Sequence, residues 1–454
     1  MNFFRALHSD VEIIISRVSD AVQTNPATGD PLQIGSFSIS RFGPTASPLV
    51  VYYSISGTAI NGTDYTDANS NALTGSFVFA ASSSTTATTN IDILPIPGRT
   101  YLSPLTVTLT ILPTNTYLVD LPASATITLS EHLFGPVLFI GAPVGIDYLG
   151  PSNSLLVSLV DSASGNFAII STNPVPGNGA IVTNWSNISS LPEEVKLATV
   201  KQTKNGFTNG DMYFSSRLDV GWLSVTGTNA NLNWCGLTNE NVTSGIGVRG
   251  GLYVDQTGTW SNELIVATSD SSYLFTNQPV WRVDAQGHPK FVTNILTKHL
   301  EGVITLTNDP ARWGPWAGRI ITGDESTVPQ PLIYAIGTNG TVSFFALGIH
   351  PEDFDIIPPN QNLYACDHDL PNPLGGPSGA ILKFPASYFT NNVGDLLITD
   401  AGEVVPPAKL FIVHWNAATT NFMIQSISYI RPDGAPGDFE HVTFAPIDIP
   451  YLPQ

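Results

Sequence analysis

Three glutamates recur at one place in a repeated pattern. Glu301, Glu352 and Glu440 stand immediately before Gly302, Asp353 and His441, each at the head of a short apolar run. Carboxylates that share a register across repeats come to one height if the repeats circle a common axis. Three of them there, with Asp353 and His441 alongside and Asp211 nearby, have the composition of a divalent-cation site. Calcium fits if the ligands are mostly oxygen, and a transition metal fits if the histidine takes part. The competing role is structural, with each carboxylate accepting hydrogen bonds from neighbouring strand amides. The expected ligands are therefore Glu301, Glu352, Asp353, Glu440 and His441, with calcium the expected ion and no catalytic residue assigned.

Other chemistry-bearing stretches say less. Gly323-Asp324-Glu325 and Cys366-Asp367-His368-Asp369 read as solvated turns. Trp313-Gly314-Pro315-Trp316 offers faces that stack on a sugar, but packing between repeats is the favoured reading. No nucleophile elbow, P-loop or His-Glu-x-x-His is present, and no Ser/His/Asp triad can be assigned.

The elements that must position these residues are short strands. Gly251 to Gly302 and Gly302 to Asp353 are each 51 residues apart. Leu/Ile/Val-rich runs such as Glu263-Leu264-Ile265-Val266 and Arg319-Ile320-Ile321 follow the repeat starts. A period near 50 with several strands per unit is the signature of propeller blades. Inner strands are expected near residues 145, 210, 251, 302, 353 and 441, which gives six blades. Extra strands at Asp395–Ile398 and Leu410–Val413 leave five or seven open. Val137–Ile140 is placed to complete the last blade and close the ring, removing exposed sheet edges.

Residues from about 10 to 131 follow a different spacing. Apolar alternation at Gly35–Ser40, Leu49–Ile55, Gly75–Phe79, Thr106–Ile111 and Ala125–Leu129, broken by turn clusters, predicts a β-sandwich of about seven strands. The chain is thus expected to be all-β, with a sandwich over 1–133 and a propeller over 134–454. The boundary is placed near Glu131-His132-Leu133-Phe134-Gly135-Pro136.

Within the first unit, Gly57-Thr58-Ala59-Ile60-Asn61-Gly62-Thr63-Asp64-Tyr65, preceded by Val50-Val51-Tyr52-Tyr53 and followed by Gly75-Ser76-Phe77-Val78-Phe79, resembles the Calx-beta domain. That resemblance implies a spacer or interaction module, and in many members a calcium site at one end. Asp64 of the motif is retained. The resemblance implies a Glu soon after the first strand, where the chain has Asp20-Ala21-Val22-Gln23, and an acidic cluster followed by Glu where Leu94–Pro104 carries Arg99. No calcium is therefore expected in the sandwich. The second region resembles six-bladed gluconolactonase-like and NHL-type propellers through its Glu-Gly-Val strand start and Val283-Asp284-Ala285-Gln286-Gly287. In gluconolactonase-like members a channel metal polarises a lactone or ester carbonyl.

Charge bounds the partners. The chain of 454 residues has 17 Lys and Arg against 36 Asp and Glu, a net charge of −19. This disfavours nucleic acid and anionic membrane as partners. No run approaches a membrane span, and Met1–His8 lacks a signal-peptide core. An extracellular or cell-surface location, as part of a longer exported chain, is expected. Cys235 and Cys366 allow one disulfide, and whether they pair is left open. The leading functional reading is a non-catalytic binding, adhesion or scaffold protein whose propeller face takes an extracellular protein, a glycan or a small molecule. A metal-dependent hydrolase or lactonase using the channel carboxylates is the alternative.

Overall fold

The structure is a computed structural model. It describes residues 11–23, 34–96, 105–130, 135–159, 166–171, 181–189, 191, 194–216, 218–237, 246–270, 277–297, 299–325, 330–372, 375–406, 408–428 and 437–449. The segments 97–104 and 131–134, on which part of the calcium and boundary expectations fell, lie outside them. The chain divides into two compact units, 1–133 and 134–454.

Among the described residues the first unit is a sandwich of two five-stranded sheets. One orders Tyr65–Thr66, Thr86–Pro95, Gly35–Phe42, Glu12–Ser19 and Leu118–Val119. The other orders Ala21–Val22, Ser124–Ser130, Leu105–Ile111, Leu49–Ser56 and Ser76–Phe79. Strand alternation explains the core. Along Leu49–Ser56 Leu49, Val51 and Tyr53 point inward while Val50, Tyr52 and Ser54 face out. They meet Ile13, Ile15, Phe37, Ile39, Val107, Leu109, Ile127 and Leu129 in one apolar cluster. Asp64 serves a tight loop: its Oδ2 accepts the amide of Ile60 at 2.7 Å, and its own amide donates to the Ile60 carbonyl.

Among the described residues the second unit contains six four-stranded antiparallel sheets. The first four take their strands in chain order. They are Pro143–Leu149 to Ile181–Asn184, Leu197–Thr199 to Ala230–Gly236, Ile246–Val254 to Pro289–Ile295, and Leu300–Thr305 to Val342–Phe345. The last two interlock. Phe354–Ile356 begins the fifth blade, and the chain then supplies Asn362–Asp367 and Ala380–Phe384 to the sixth. It returns with Leu396–Asp400, Lys409–Asn416 and Asn421–Ser428 to finish the fifth, and Phe439–Ala445 becomes the inner strand of the sixth. Gly135–Phe139 pairs with Ala380–Phe384 as the outer strand of that blade. Each inner strand packs beside the next around the full circle, so the ring is closed. This interlock accounts for the surplus strands between Asp353 and His441.

One inner strand differs from expectation. Met212–Ser216, read as the inner strand near 210, is the second strand of its blade, and Leu197–Thr199 is the inner one. Asp211 accordingly sits away from the axis, where its carboxylate accepts Trp222 Nε1 at 2.9 Å and the Val225 amide at 3.1 Å. Packing between blades also absorbs the tryptophan motif. Trp313 and Trp316 are buried, and the Trp316 ring lies 4.0 Å from Phe422 and 5.7 Å from Phe345. Among the described residues no helix is long and apolar enough to cross a membrane.

Candidate functional site in the propeller channel

Glycine lets the inner strands crowd the axis. A Cβ on Gly251 would lie 3.0 Å from the Gly302 carbonyl carbon, and one on Gly302 would lie 2.5 Å from the Phe354 ring. Gly302 also holds φ +63°, and the ladder slips between Glu301 and Val303 at this point. Such a bulge re-aims the neighbouring side chain.

The start of the inner strands carries one cluster. Glu301, Glu352 and Glu440 come together as their shared register requires. At their centre stands Lys196, the residue before the inner strand of the second blade. Its Nζ lies 2.7 Å from Glu352 Oε1, 3.2 Å from Glu301 Oε2 and 4.0 Å from Glu440 Oε2. The lysine side chain is wholly buried. Burial alone would strip its proton, but the three carboxylates raise its pKa well above the ordinary lysine value.

One ammonium cannot ionise three carboxyls equally. Desolvation pushes Glu352 well above the carboxylate range and Glu440 up to about 8, despite the opposing pull of Lys196. Against the same desolvation, Lys196 and His299 hold Glu301 below its ordinary value. His299 Nε2 lies 2.7 Å from Glu301 Oε1 and 3.5 Å from Glu325 Oε2, and its Nδ1 is 3.0 Å from Ser269 Oγ. Burial works against protonation of His299, but Glu301 and then Glu325 raise its pKa overall. Burial and the nearby Glu301 push Glu325 up to about 7.

Further along the strands lies a cavity of about 230 Å³ lined by all six inner strands. Asp353, the neighbour of Glu352, belongs here rather than with the glutamates. Its carboxylate accepts the amides of Phe354 at 2.8 Å and Val442 at 3.0 Å, stapling the fifth inner strand to the sixth. Asp355 repeats the staple with Ile356 at 2.7 Å and Phe444 at 3.2 Å. Burial pushes each of these two carboxyls up to about 7. Asp147 accepts the Thr199 amide at 2.7 Å, the Thr199 hydroxyl at 2.8 Å and the Thr443 hydroxyl at 3.2 Å, and it pairs with Lys201. His441 Nδ1 is 3.5 Å from Asp353 Oδ2. Burial, with a contribution from Lys196, lowers its pKa well below the usual histidine value.

The five expected ligands therefore fall into two sets: the three glutamates around Lys196, and Asp353 with His441 on the cavity wall. Among the described residues two other groups hold carboxylate or imidazole atoms within 4.8 Å of one another, His299 with Glu301 and Glu325, and Glu440 with Glu403 and Asp438. Sequence reasoning missed Lys196 and treated Glu325 as solvated, although it is buried. A signal existed for the lysine. One further step of 51 residues back from Gly251 falls next to Leu197–Thr199, with Lys196 at its head. Cys235 and Cys366 are both free and buried, in different clusters.

No known protein family matches the chain by sequence, and no curated protein does. Solved structures match at low similarity. The calcium-binding protein regucalcin from Agrobacterium tumefaciens is 10% identical, with a TM-score of 0.37 over 64% of this chain and 75% of that one. A gluconolactonase from Xanthomonas campestris is 9% identical, with a TM-score of 0.27 over 56% and 88%. The Calx CBD1 domain in its apo form is 15% identical, with a TM-score of 0.19 over 26% and 98%. The architecture rests on this chain's own strand pairings.

Proposed function

We propose that the propeller is a non-catalytic binding module that takes a small molecule into its channel, in a protein acting outside the cell. The observation that carries this reading is the buried Lys196 ammonium at the centre of Glu301, Glu352 and Glu440. A divalent ion drawn to those carboxylates would meet a fixed positive charge from the chain itself. Calcium also needs 6 to 8 oxygens, while Asp353 and Asp147 are already engaged by backbone amides and hydroxyls. These residues do not fit a shared metal. The cavity beyond Lys196 remains a concave site with a mixed polar and apolar wall, the usual form of a ligand pocket.

A second reading retains an enzyme. His299, Glu301 and Glu325 bring three potential ligand atoms together behind Lys196, and an ion there would favour the metal-dependent hydrolase. One experiment addresses both. Ligand-observed NMR of a fragment library on the full chain should give hits that vanish in Ala198→Phe, which fills the cavity wall, provided the variant keeps its cooperative melt. Hits indifferent to that variant would sink the binding reading. Lactone or aryl-ester turnover lost in Glu301→Gln would replace it with the hydrolase. Protease shaving of intact cells expressing the chain tests the location, since an outward-facing protein is cleaved without lysis.

A further inference from the structure

The cavity wall has a charge imbalance that identifies what it accepts. Asp147 is paired with Lys201, whose Nζ also donates to the Tyr148 carbonyl at 2.9 Å. Asp353 and Asp355 have no such direct partner: among the described residues no Lys or Arg forms an ion pair with either, and they feel Lys196 and Lys201 only at longer range, with His441 Nδ1 3.5 Å from Asp353. The hydrogen bonds each carboxylate accepts come from two backbone amides. His441 is 5% exposed, and its Nε2 has no hydrogen-bond partner although the residue lines the cavity. The rest of the wall is mixed: Thr199, Lys201, Gln256 and Thr443 are polar, and Leu252, Tyr253, Val303, Phe354 and Phe444 form its apolar and aromatic part.

We propose, resting on the binding reading above, that the channel takes a small organic cation: an ammonium group set against Asp353 and Asp355, with a short apolar body along the aromatic wall. Two desolvated carboxyls side by side favour a cation between them, because it relieves their repulsion and the cost of burial together. A positive charge over aromatic faces gains a further attraction. The unpartnered His441 Nε2 on the wall is suited to accept from an N–H of the same group. A bare divalent ion would need many more free oxygens than the wall offers. At about 230 Å³ the cavity is smaller than the roughly 300–1,000 Å³ of drug-sized sites, which favours a compact ligand. The net charge of −19 would help draw cations to the protein.

The test is calorimetric titration of the full chain with n-butylammonium, n-butanol, n-butyrate and calcium chloride. Butylammonium should bind saturably and at least tenfold more tightly than butanol, with butyrate not binding. Asp355→Asn should weaken it about tenfold. Thr443→Lys, which carries its own ammonium into the cavity, should abolish it while preserving the melt, so the idea stays testable if the asparagine variant folds poorly. Butanol or butyrate binding as tightly as butylammonium would overturn the cation class and leave the cavity reading standing. Tighter binding of calcium, displacing butylammonium, would overturn it in favour of an inorganic ion. If no probe binds while fragment hits sensitive to Ala198→Phe persist, the cation class alone falls. If neither is seen, both readings fall.

Discussion

Lys196 is the residue on which the channel's electrostatics turn. Its ammonium lies within 4.0 Å of three buried carboxyls, and breaking a buried charge set from one side leaves the remainder uncompensated. Lys196→Met should therefore destabilise the propeller by about 3–5 kcal/mol, the cost typical of such losses. Adding Glu301→Gln should recover part of that loss, since Glu301 is the carboxyl held most firmly in its ionised form. Urea unfolding of the two variants checks this, and a double variant no more stable than Lys196→Met would show that the charges are not coupled. The glutamates were legible because a repeated register is visible in sequence. Their partner was not, because Lys196 heads a three-residue strand followed by the stronger-looking Gly210-Asp211 start. Asp353 and His441 were placed with the glutamates for a similar reason. Adjacent residues on a strand point to opposite faces, so being next to Glu352 or Glu440 in sequence does not mean sharing its site.

At the scale of elements, the propeller depends on close approach and on closure. Gly302 combines φ +63° with a space that a Cβ would share with the Phe354 ring. Gly302→Ala should cost about 2–4 kcal/mol, joining the strain of a left-handed residue to overpacking. Gly348 gives the comparison: it also has positive φ, but nothing lies within 4 Å of its Cβ position. Gly348→Ala should lose only the strain component, and equal losses at both sites would refute the packing argument. Closure by Val137–Ile140 was readable because an unpaired strand before the first blade has one natural place to go. The exchange of strands between the fifth and sixth blades was not readable, because hydrophobic patterning marks strands but does not say which partner each will choose. Deleting 135–140 should expose the edge of Ala380–Phe384, lowering the melting temperature and promoting association visible by light scattering.

For the whole molecule, the buried carboxyls make stability depend on pH in an unusual direction. Burial pushes Asp353, Asp355 and Glu325 up to about 7 and Glu440 up to about 8, while His299 is also raised. In the unfolded chain the carboxyls are fully ionised above about pH 5. Near pH 7 the folded protein therefore holds protons that the unfolded chain has released, and stability falls as pH rises. Each such proton contributes a slope of about 1.4 kcal/mol per pH unit. Two groups act the other way, but at lower pH. His441 is depressed well below the ordinary histidine value, and Glu301 is held below the ordinary glutamate value. Their contributions are lost as pH falls through the acid range, so the clean window lies between about pH 6.5 and 8.5. Growing negative charge on a chain already at −19 reinforces the trend there. The melting temperature of the propeller should drop steadily across that window, and Asp353→Asn with Asp355→Asn should flatten the slope. Calorimetry at half-unit steps decides it. A melting temperature that is level or rising from pH 6.5 to 8.5 would mean that these carboxyls stay ionised in the fold and that the channel is wetter than its burial implies.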